Sequence, residues 1–241
     1  MKALILAAGL GSRLQHKTKD IPKAMVEVNG NPIIAYQLNA LKKYKINDVT
    51  IVTGYKGEVL IDYLSKNYGE ININFVTNPI PYDSNSSYSF WLAKDYVKEE
   101  TYLHLNCDIL FSESLLGKVI NSTRENILSV RTDIELTNKM ENVELNQDKI
   151  MKMSINNFPE ASGKAYGLAK LSSQSTNYLI KALQKHLEAG DKNQNYYGII
   201  RGAVSHLDYH AILTDESHIT EVNTLTDHDK AIQILSGSSN F

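Results

Sequence analysis

A short apolar strand that runs straight into a glycine loop constrains the fold of this chain more than any other feature. The segment from Lys2 to Lys23 reads KALILAAGLGSRLQHKTKDIPK. Residues 3–6 predict a buried strand, and the small residues that follow let a flat ring approach the backbone. The sequence therefore predicts a ligand site where this strand ends.

The loop carries groups that suit phosphates. Its glycines and serine turn main-chain N–H groups toward anionic oxygens. Arg13 adds a planar fork and Lys23 adds a point charge, which are two different ways to bind phosphate. We therefore predict that the segment binds a nucleoside triphosphate. The expected nucleotide contacts are Leu6, Ala7, Ala8, Gly9, Gly11, Ser12 and Arg13.

Spacing excludes two other glycine loops. The dinucleotide pattern G-x-G-x-x-G fails because Leu14 stands where its third glycine belongs. The Walker A string G-x-x-x-x-G-K-[ST] does not occur in the sequence. Taken alone, the loop also fits a strand-to-helix turn that needs glycine only for its backbone conformation.

The order of the predicted elements indicates an α/β fold. In the first half, strands at 3–6, 49–53, 73–76, 102–105 and 127–131 alternate with helices at 33–43, 58–68, 88–97 and 112–121. In the second half we expect a hairpin at 143–155, strands at 166–171 and 207–213, and helices at 175–189 and 227–235. The last helix is expected to be capped by Thr226 with Asp229. We expect one domain over 1–241, with a nucleotide-binding half at about 1–125, an acceptor-binding half at about 126–235 and a frayed end at 236–241.

Composition excludes several classes of protein. A net charge of −2 over 241 residues provides no basic field for nucleic acid or an anionic membrane. Cys107 is the single cysteine, so we expect no internal disulfide and a reducing cytoplasm as the compartment. No stretch approaches the ~18 apolar residues of a membrane span. We expect small-molecule partners, with no nucleic acid and no membrane, and a homodimer is allowed.

Asp108 is a second candidate for chemistry. The string YLHLNCDIL predicts a buried strand with an acid just beyond its carboxyl end, the edge at which open α/β sheets bind ligands. A carboxylate there can hold Mg²⁺ together with phosphate oxygens and water. The alternative is an aspartate that only forms the turn.

The strings LAAGLGSRL and PKAMVEVNGNPII together resemble the opening of the nucleotidyltransferases that make nucleotide sugars and CDP-alcohols. The resemblance implies an α/β fold with a Rossmann-like, mixed but mostly parallel sheet flanked by helices. It implies that Asp108 holds Mg²⁺ with a partner from the segment ITEVNTLTDHDKA. Where the family commonly has aspartate, this chain has Asn223, whose amide oxygen binds the ion without a charge and more weakly.

Residues 78–94, NPIPYDSNSSYSFWLAK, discriminate between subfamilies. Sugar-nucleotide enzymes usually carry a glycine-containing string here, but this chain has no glycine between Gly69 and Gly117. The segment instead resembles that of bacterial phosphocholine and aminoethylphosphonate cytidylyltransferases. Asn85, Ser86 and Ser87 are therefore expected to contact the base or ribose, or else to cap a helix, since asparagine and serine favour both.

The second half indicates the acceptor site less clearly. The resemblance implies that Tyr166, Tyr196, Tyr197 and Glu221 line it. An aromatic and acidic box for a quaternary ammonium is not evident, because Gly198 follows the tyrosine pair where relatives often carry an acid. Three cationic residues fit either an anionic acceptor or an ordinary charged surface: Arg131, Lys164 and Arg201.

We expect a cytidylyltransferase that joins CTP to a small phosphorylated acceptor and releases pyrophosphate. The acceptor could be phosphocholine, a phosphonate or an N-phosphorylated amino acid. Arg13 and Lys23 are the expected catalytic residues, and Asp108 with Asn223 the expected Mg²⁺ ligands. The alternatives are a sugar 1-phosphate nucleotidyltransferase and, from another class, a non-catalytic nucleotide sensor.

Overall fold

A nine-stranded sheet crosses the protein, and helices cover both of its faces. The computed structural model describes residues 1–237. Within them the strands are β1 Lys2–Ala7, β2 Glu27–Val28, β3 Asn31–Pro32, β4 Asp48–Thr53, β5 Asn72–Thr77, β6 Tyr102–Asn106, β7 Ile109–Phe111, β8 Ile127–Arg131, β9 Asn142–Asn146, β10 Lys149–Ser154, β11 Gly163–Leu171, β12 His210–Thr214 and β13 Ile219–Glu221. The helices are α1 Ile33–Lys43, α2 Gly57–Asn67, α3 Ser86–Ala93, α4 Glu113–Asn121, α5 Ser173–Glu188, α6 Tyr196–Ala203 and α7 Leu225–Gly237. Short 3-10 turns lie at Ser12–Thr18, Lys23–Met25 and Lys94–Tyr96.

The sheet is mixed, as the sequence predicts. Its strand order is β5-β4-β1-β6-β11-β8-β12-β10-β9. The strands β5, β4, β1 and β6 are parallel, and β12 runs parallel to β8. In contrast, β11 runs antiparallel to β6 and β8, and β10 runs antiparallel to β9 and β12. The parallel block therefore lies in the first half of the chain, and both reversed strands lie in the second.

The strand β1 shows why an unbroken apolar run forms a central strand. Side chains alternate between the two faces of a sheet. Ala3 and Ile5 join the core under α1 and α2, while Leu4 and Leu6 join the core that contains Phe90 of α3. A strand covered on both faces needs apolar residues at every position.

The carboxyl ends of β1, β4 and β6 meet at one edge of the sheet. There the main-chain N–H of Cys107 donates to the Leu6 carbonyl (3.2 Å), and that of Tyr55 donates to the Ala8 carbonyl (3.1 Å). The glycine loop, the end of β4 and the turn after β6 are thus joined by backbone hydrogen bonds. This edge positions the candidate site.

Two helices differ from the sequence prediction. Thr224 and Asp227 cap α7. The Thr224 N–H donates to Asp227 Oδ2 at 2.8 Å, and the Asp227 N–H donates to Thr224 Oγ1 at 3.2 Å. The predicted cap at Thr226 is wrong, because Thr226 lies inside α7. The string TLTDHD contains the same hydroxyl-to-acid spacing twice, in Thr224/Asp227 and in Thr226/Asp229, and the helix begins with the first pair. The sequence pattern does not predict α6, whose two glycines lower its helix propensity. Residues 236 and 237 end α7, and the fraying expected at 238–241 lies outside the described residues.

The two expected halves share one continuous sheet, since β6 pairs with β11 and β8 lies between β11 and β12. Among residues 1–237, no helix combines the length and apolar character needed to cross a membrane.

Candidate active site

The glycine loop closes over the stem of Lys23. Gly11 has φ +66°, and a Cβ at this position would stand 3.0 Å from Thr18 Cγ2 and 3.1 Å from Lys23 Cβ. Only glycine adopts this conformation with so little space. The Thr18 hydroxyl donates to the Gly11 carbonyl (3.0 Å), so the loop and the Lys23 stem form one packed unit.

The Lys23 ammonium lies between the two predicted metal ligands. It donates to Asp108 Oδ2 at 2.5 Å and to Asn223 Oδ1 at 2.7 Å. Arg13 donates to the same Asn223 oxygen at 2.9 Å. Four side chains predicted separately from the sequence are therefore brought together at one point.

A buried glutamine holds the turn that carries Asp108. Gln37 Nε2 donates to the carbonyls of Asn106 and Ile109, both at 2.9 Å, and so spans the turn from one end to the other. The Val222 N–H donates to the Asp108 carbonyl at 2.8 Å. Sequence reasoning missed Gln37, although a polar residue three positions after Ile34, on the apolar face of α1, was the available signal.

Glu221 explains why an amide fits at position 223. Asn223 Nδ2 donates to Glu221 Oε2 at 3.1 Å, which turns the amide oxygen toward Lys23 and Arg13. An aspartate at 223 would face the Glu221 carboxylate at this distance, and two like charges so close repel each other.

Asp108 and Asn223 fit a magnesium ion. Asp108 Oδ1 is buried and makes no hydrogen bond among residues 1–237, so it keeps a free acceptor. The other Asp108 oxygen and Asn223 Oδ1 already converge on one cationic group. No cluster of three or more His, Cys, Asp or Glu side chains suited to a metal occurs in the described part of the chain. Mg²⁺ typically takes one or two carboxylates and completes its shell with phosphate oxygens and water.

The first cleft, of about 470 Å³, is lined by most of the predicted nucleotide contacts. The predicted residues that line it are Leu6, Ala8, Gly9, Gly11, Ser12, Arg13, Asn85 and Ser86. Those that the sequence did not assign to it include Tyr82, Ser84, Asn106 and Asn195.

Two predicted nucleotide contacts do not line either cleft. Ser87 is fully buried, because the first turn of α3 points its side chain into the protein. Ala7 is buried, since its side chain belongs to the core beneath β1. Asn85 caps α3 and also lines the cleft, so its role as a cap leaves it free to contact a ligand there.

The start of α3 is hydrogen-bonded to the segment before α6. The N–H groups of Asn85 and Ser87 donate to the carbonyls of Lys192 and Gln194, at 2.9 and 3.2 Å. The Tyr196 N–H donates to Ser86 Oγ at 2.8 Å. The nucleotide-side helix and the beginning of α6 therefore form one structural unit.

The second cleft, of about 680 Å³, is lined by three of the four predicted acceptor contacts. They are Tyr166, Tyr197 and Glu221. Tyr197 donates its hydroxyl to the Tyr166 carbonyl at 2.5 Å. Burial, together with the nearby carboxylates of Glu141 and Glu221, raises the pKa of the Tyr197 hydroxyl well above its ordinary value, so it stays a donor.

Tyr196, the fourth predicted acceptor contact, lies in the core. Its hydroxyl pairs with that of Tyr102 at 2.7 Å, and its ring centroid lies 4.3 Å from that of His104. It lines neither cleft, because the first turn of α6 directs it toward the sheet, and the geometry therefore does not support the predicted acceptor contact. His104 is a core residue, as expected, and burial lowers its pKa to about 4.

The three cationic residues that the sequence analysis singled out in the second half are paired with acids instead of lying on an open surface. Lys164 bonds Glu221 at 2.7 Å, and Arg201 bonds Glu141 at 2.8 Å. Arg131, which is buried, bonds Asp133 and Glu216 at 2.8 and 3.2 Å.

Lys164 and Glu221 form a buried salt bridge. Burial raises the pKa of the Glu221 carboxyl, and the facing Lys164 opposes that shift. Burial opposes the charge of Lys164, but the facing Glu221 carboxylate outweighs it and raises the lysine pKa. The second cleft therefore presents both signs of charge.

The two clefts meet at the predicted catalytic groups. Within residues 1–237, the side chains that line both clefts are Arg13, Asn106, Asp108, Asn195 and Asn223. A phosphoryl group at this junction would lie beside the cations Arg13 and Lys23 and the two side-chain oxygens that are predicted to hold a metal. This is the arrangement of a nucleotidyltransferase, in which one cleft presents the nucleotide and the other presents the group that accepts it.

Comparison with known proteins agrees with this class. The model of the MobA-like NTP transferase domain matches residues 3–136, and the chain belongs to this family. The chain is 29% identical over 236 residues to a choline-phosphate cytidylyltransferase of Streptococcus pneumoniae, covering 98% of each. It is 40% identical over 131 residues to a CTP:phosphoglutamine cytidylyltransferase of Campylobacter jejuni, covering 52% of this chain and 50% of that one. A solved structure of the CTP:phosphocholine cytidylyltransferase from Streptococcus pneumoniae matches with a TM-score of 0.80 and 25% identity, covering 97% of this chain and 98% of that one.

Proposed function

We propose that the protein is a cytidylyltransferase that transfers CMP from CTP to the phosphate of a small acceptor. The observation that carries this proposal is the junction of the two clefts, where Arg13, Lys23, Asp108 and Asn223 converge. The cytidylyltransferase from Streptococcus pneumoniae that matches along almost the whole chain supports the choice of nucleotide.

The reaction needs no protein base. An oxygen of the acceptor phosphate, already anionic near neutral pH, forms a bond to the α-phosphorus of CTP. The bond from that phosphorus to the bridging oxygen breaks, and pyrophosphate leaves with the electron pair. Catalysis then comes from positioning and from charge stabilisation.

Each catalytic residue has a separate task. The main-chain N–H groups of the loop around Gly11, with Arg13, hold the β- and γ-phosphates. Lys23 lies between the α-phosphate and the acceptor phosphate and holds them near each other. Asp108 and Asn223 would hold Mg²⁺, which supplies positive charge to the α-phosphate when bound.

The nucleotide test compares CTP with UTP. Cytosine offers an amino donor and a ring-nitrogen acceptor where uracil offers the reverse, so a site built for one base leaves groups unpaired against the other. Each unpaired group costs about 1–3 kcal/mol. We expect specificity constants for CTP and UTP to differ by about two orders of magnitude or more. Pyrophosphate release with CTP, UTP, dTTP and GTP measures this, and comparable values for CTP and UTP would contradict the proposal.

The acceptor cleft favours a molecule other than phosphocholine. Lys164 Nζ lies 4.2 Å from the Tyr166 ring centroid, and Arg131 lies 5.6 Å from it. The ring that could receive a quaternary ammonium is thus already in contact with two cations of the protein. We expect an acceptor whose far end carries an acidic group or both signs of charge. We test this expectation with a panel of phosphocholine, 2-aminoethylphosphonate, an N-phosphorylated amino acid and sugar 1-phosphates as acceptors.

A sugar 1-phosphate nucleotidyltransferase is the second candidate. It is favoured because nucleotidyltransferases that act on sugar 1-phosphates are among the relatives of the chain. Turnover of a sugar 1-phosphate with UTP or GTP, in preference to CTP with any other acceptor, would establish it. A non-catalytic nucleotide sensor is the weaker alternative, because Arg13, Lys23 and Asp108 are all present and meet at the junction.

A further inference from the structure

Asn106 lies at the junction of the two clefts and has one end of its amide fixed. Its side-chain oxygen lies 3.1 Å from Nε2 of His104. Its main-chain carbonyl accepts from Gln37, so the backbone is held as well. Its Nδ2 group makes no hydrogen bond with any residue in 1–237, and the side chain lines both clefts. An oriented donor therefore stands at the place where the phosphoryl group would lie.

We propose that Asn106 Nδ2 donates a hydrogen bond to an oxygen of the transferred phosphoryl group, and that His104 is a positioning residue for this amide. The proposal rests on the proposed function only in placing a phosphoryl group at the junction. His104 acts by fixing the direction of the amide, so that the NH₂ group faces the clefts and the oxygen faces the core.

The surroundings of His104 determine which ring nitrogen carries the proton. The imidazole is fully buried, and burial lowers its pKa to about 4, so it is neutral at neutral pH and carries one N–H. Its Nδ1 is buried with no partner among the described residues. Orphaned buried N–H groups are rarer than orphaned acceptors, which places the proton on Nε2, facing Asn106.

Packing holds both side chains in place. The His104 ring lies against Tyr196, whose own ring lies 4.7 Å from that of Phe90 on α3. On the other side, a Cβ at Gly167 would stand 2.5 Å from both Cβ and Nδ2 of Asn106. A side chain at 167 would displace the amide, so glycine there lets β11 pack directly against it.

The experiment combines variants at the two positions. A preorganised donor to an oxygen that gains charge typically contributes ~10²–10³-fold in rate. We expect Asn106→Ala to lower kcat by about this factor while changing the KM for CTP little. Asn106→Asp, which keeps the shape but loses the donor, should fall at least as far. The exposed Asn67→Ala on α2 is the matched control, with melting temperatures recorded for every variant.

The His104 variants separate positioning from packing. His104→Gln can still donate to Asn106, whereas His104→Phe keeps the ring volume without a donor. We expect His104→Phe to lower kcat by about tenfold and His104→Gln to recover most of it. In the Asn106→Ala background, His104→Phe should have no further effect on kcat, because the groups act as a unit. The exposed His206→Phe is the control.

Two results would overturn the proposal. One is an Asn106→Asp enzyme with wild-type kcat. The other is a His104→Phe change that lowers kcat equally in both backgrounds, which is what a purely structural role predicts.

A readout without turnover separates this proposal from the proposed function. The side-chain NH₂ resonance of Asn106, assigned with Asn106→Ala, should shift when Mg²⁺ and a nucleoside triphosphate bind. If no acceptor supports turnover but this resonance shifts, the proposed function fails and the contact stands. If the nucleotide binds and the resonance does not move, the contact is refuted.

Discussion

Replacing Lys23 tests the centre of the site most directly. Its ammonium touches Asp108 and Asn223, and its stem packs under Gly11, so charge and packing contribute separately. Lys23→Met keeps most of the stem and removes the charge. Lys23→Ala removes both, so the pair of variants distinguishes the two contributions.

The structure sets the size of each effect. Truncation to alanine removes three buried methylene groups, worth about 2 kcal/mol in the free energy of unfolding at ~0.8 kcal/mol each. The salt bridge to Asp108 is lost in both variants, with side chains 10% and 20% exposed. The difference in stability between the two variants therefore reports the stem alone. The loss of turnover reports the charge, and we expect ~10²–10³-fold in both.

The assay is steady-state pyrophosphate release at saturating CTP, with thermal unfolding recorded for each variant. Lys66→Ala, an exposed lysine on α2, serves as the control and should match the wild type. A Lys23→Met enzyme that turns over at the wild-type rate would show that the ammonium does not act on the transition state. Equal stabilities of the Met and Ala variants would refute the packing argument.

Asp108→Asn should abolish Mg²⁺-dependent turnover, because no charged ligand would remain beside Asn223; wild-type magnesium dependence in this variant would place the metal elsewhere. Gln37→Met should lower the free energy of unfolding by about 1–3 kcal/mol, because two buried carbonyls lose their donor, and urea unfolding measures this. His104 has its pKa lowered from 6.5 to about 4 in the folded chain, so the unfolded chain binds the proton first as pH falls. The free energy of unfolding of the wild type, compared with that of His104→Gln, should therefore be constant above about pH 6.5 and fall by up to about 3 kcal/mol as the pH drops to about 4. A difference between the two proteins that does not vary with pH would contradict the lowered pKa of His104.

Local patterns in the sequence predict much of the fold and of the candidate site. The strand before Gly9 and the acid after β6 both lie at strand ends, and the carboxyl ends of parallel strands share one edge of a sheet. Their meeting therefore follows from the fold class. The resemblance to the nucleotidyltransferases added Asn223, which lies far away in the chain and which no local pattern would connect to Lys23.

Side-chain direction accounts for most of the differences between the predicted contacts and the residues that line the clefts. Tyr196 and Tyr197 are adjacent in the sequence, yet α6 sends one toward the sheet and the other toward the cleft, and without predicting α6 the two could not be distinguished. Ser87 fails for the same reason on α3. Gln37 and Asn106 were missed because their partners are main-chain carbonyls and a buried imidazole, which only the tertiary structure brings near them.

The hydrogen bonds between the start of α3 and the segment before α6 bear on how this enzyme could be recombined with its relatives. The family model ends at residue 136, which suggests a transferable module. Yet three hydrogen bonds connect the two sides of that boundary. Their donors are the backbone N–H groups of Asn85, Ser87 and Tyr196. A chimera cut at the boundary would keep every predicted phosphate-binding residue of the first half and lose the partner that orients α3. A graft intended to move nucleotide preference between homologues should therefore carry residues 191–196 with the first half, although this segment begins 55 residues after the end of the family model at residue 136.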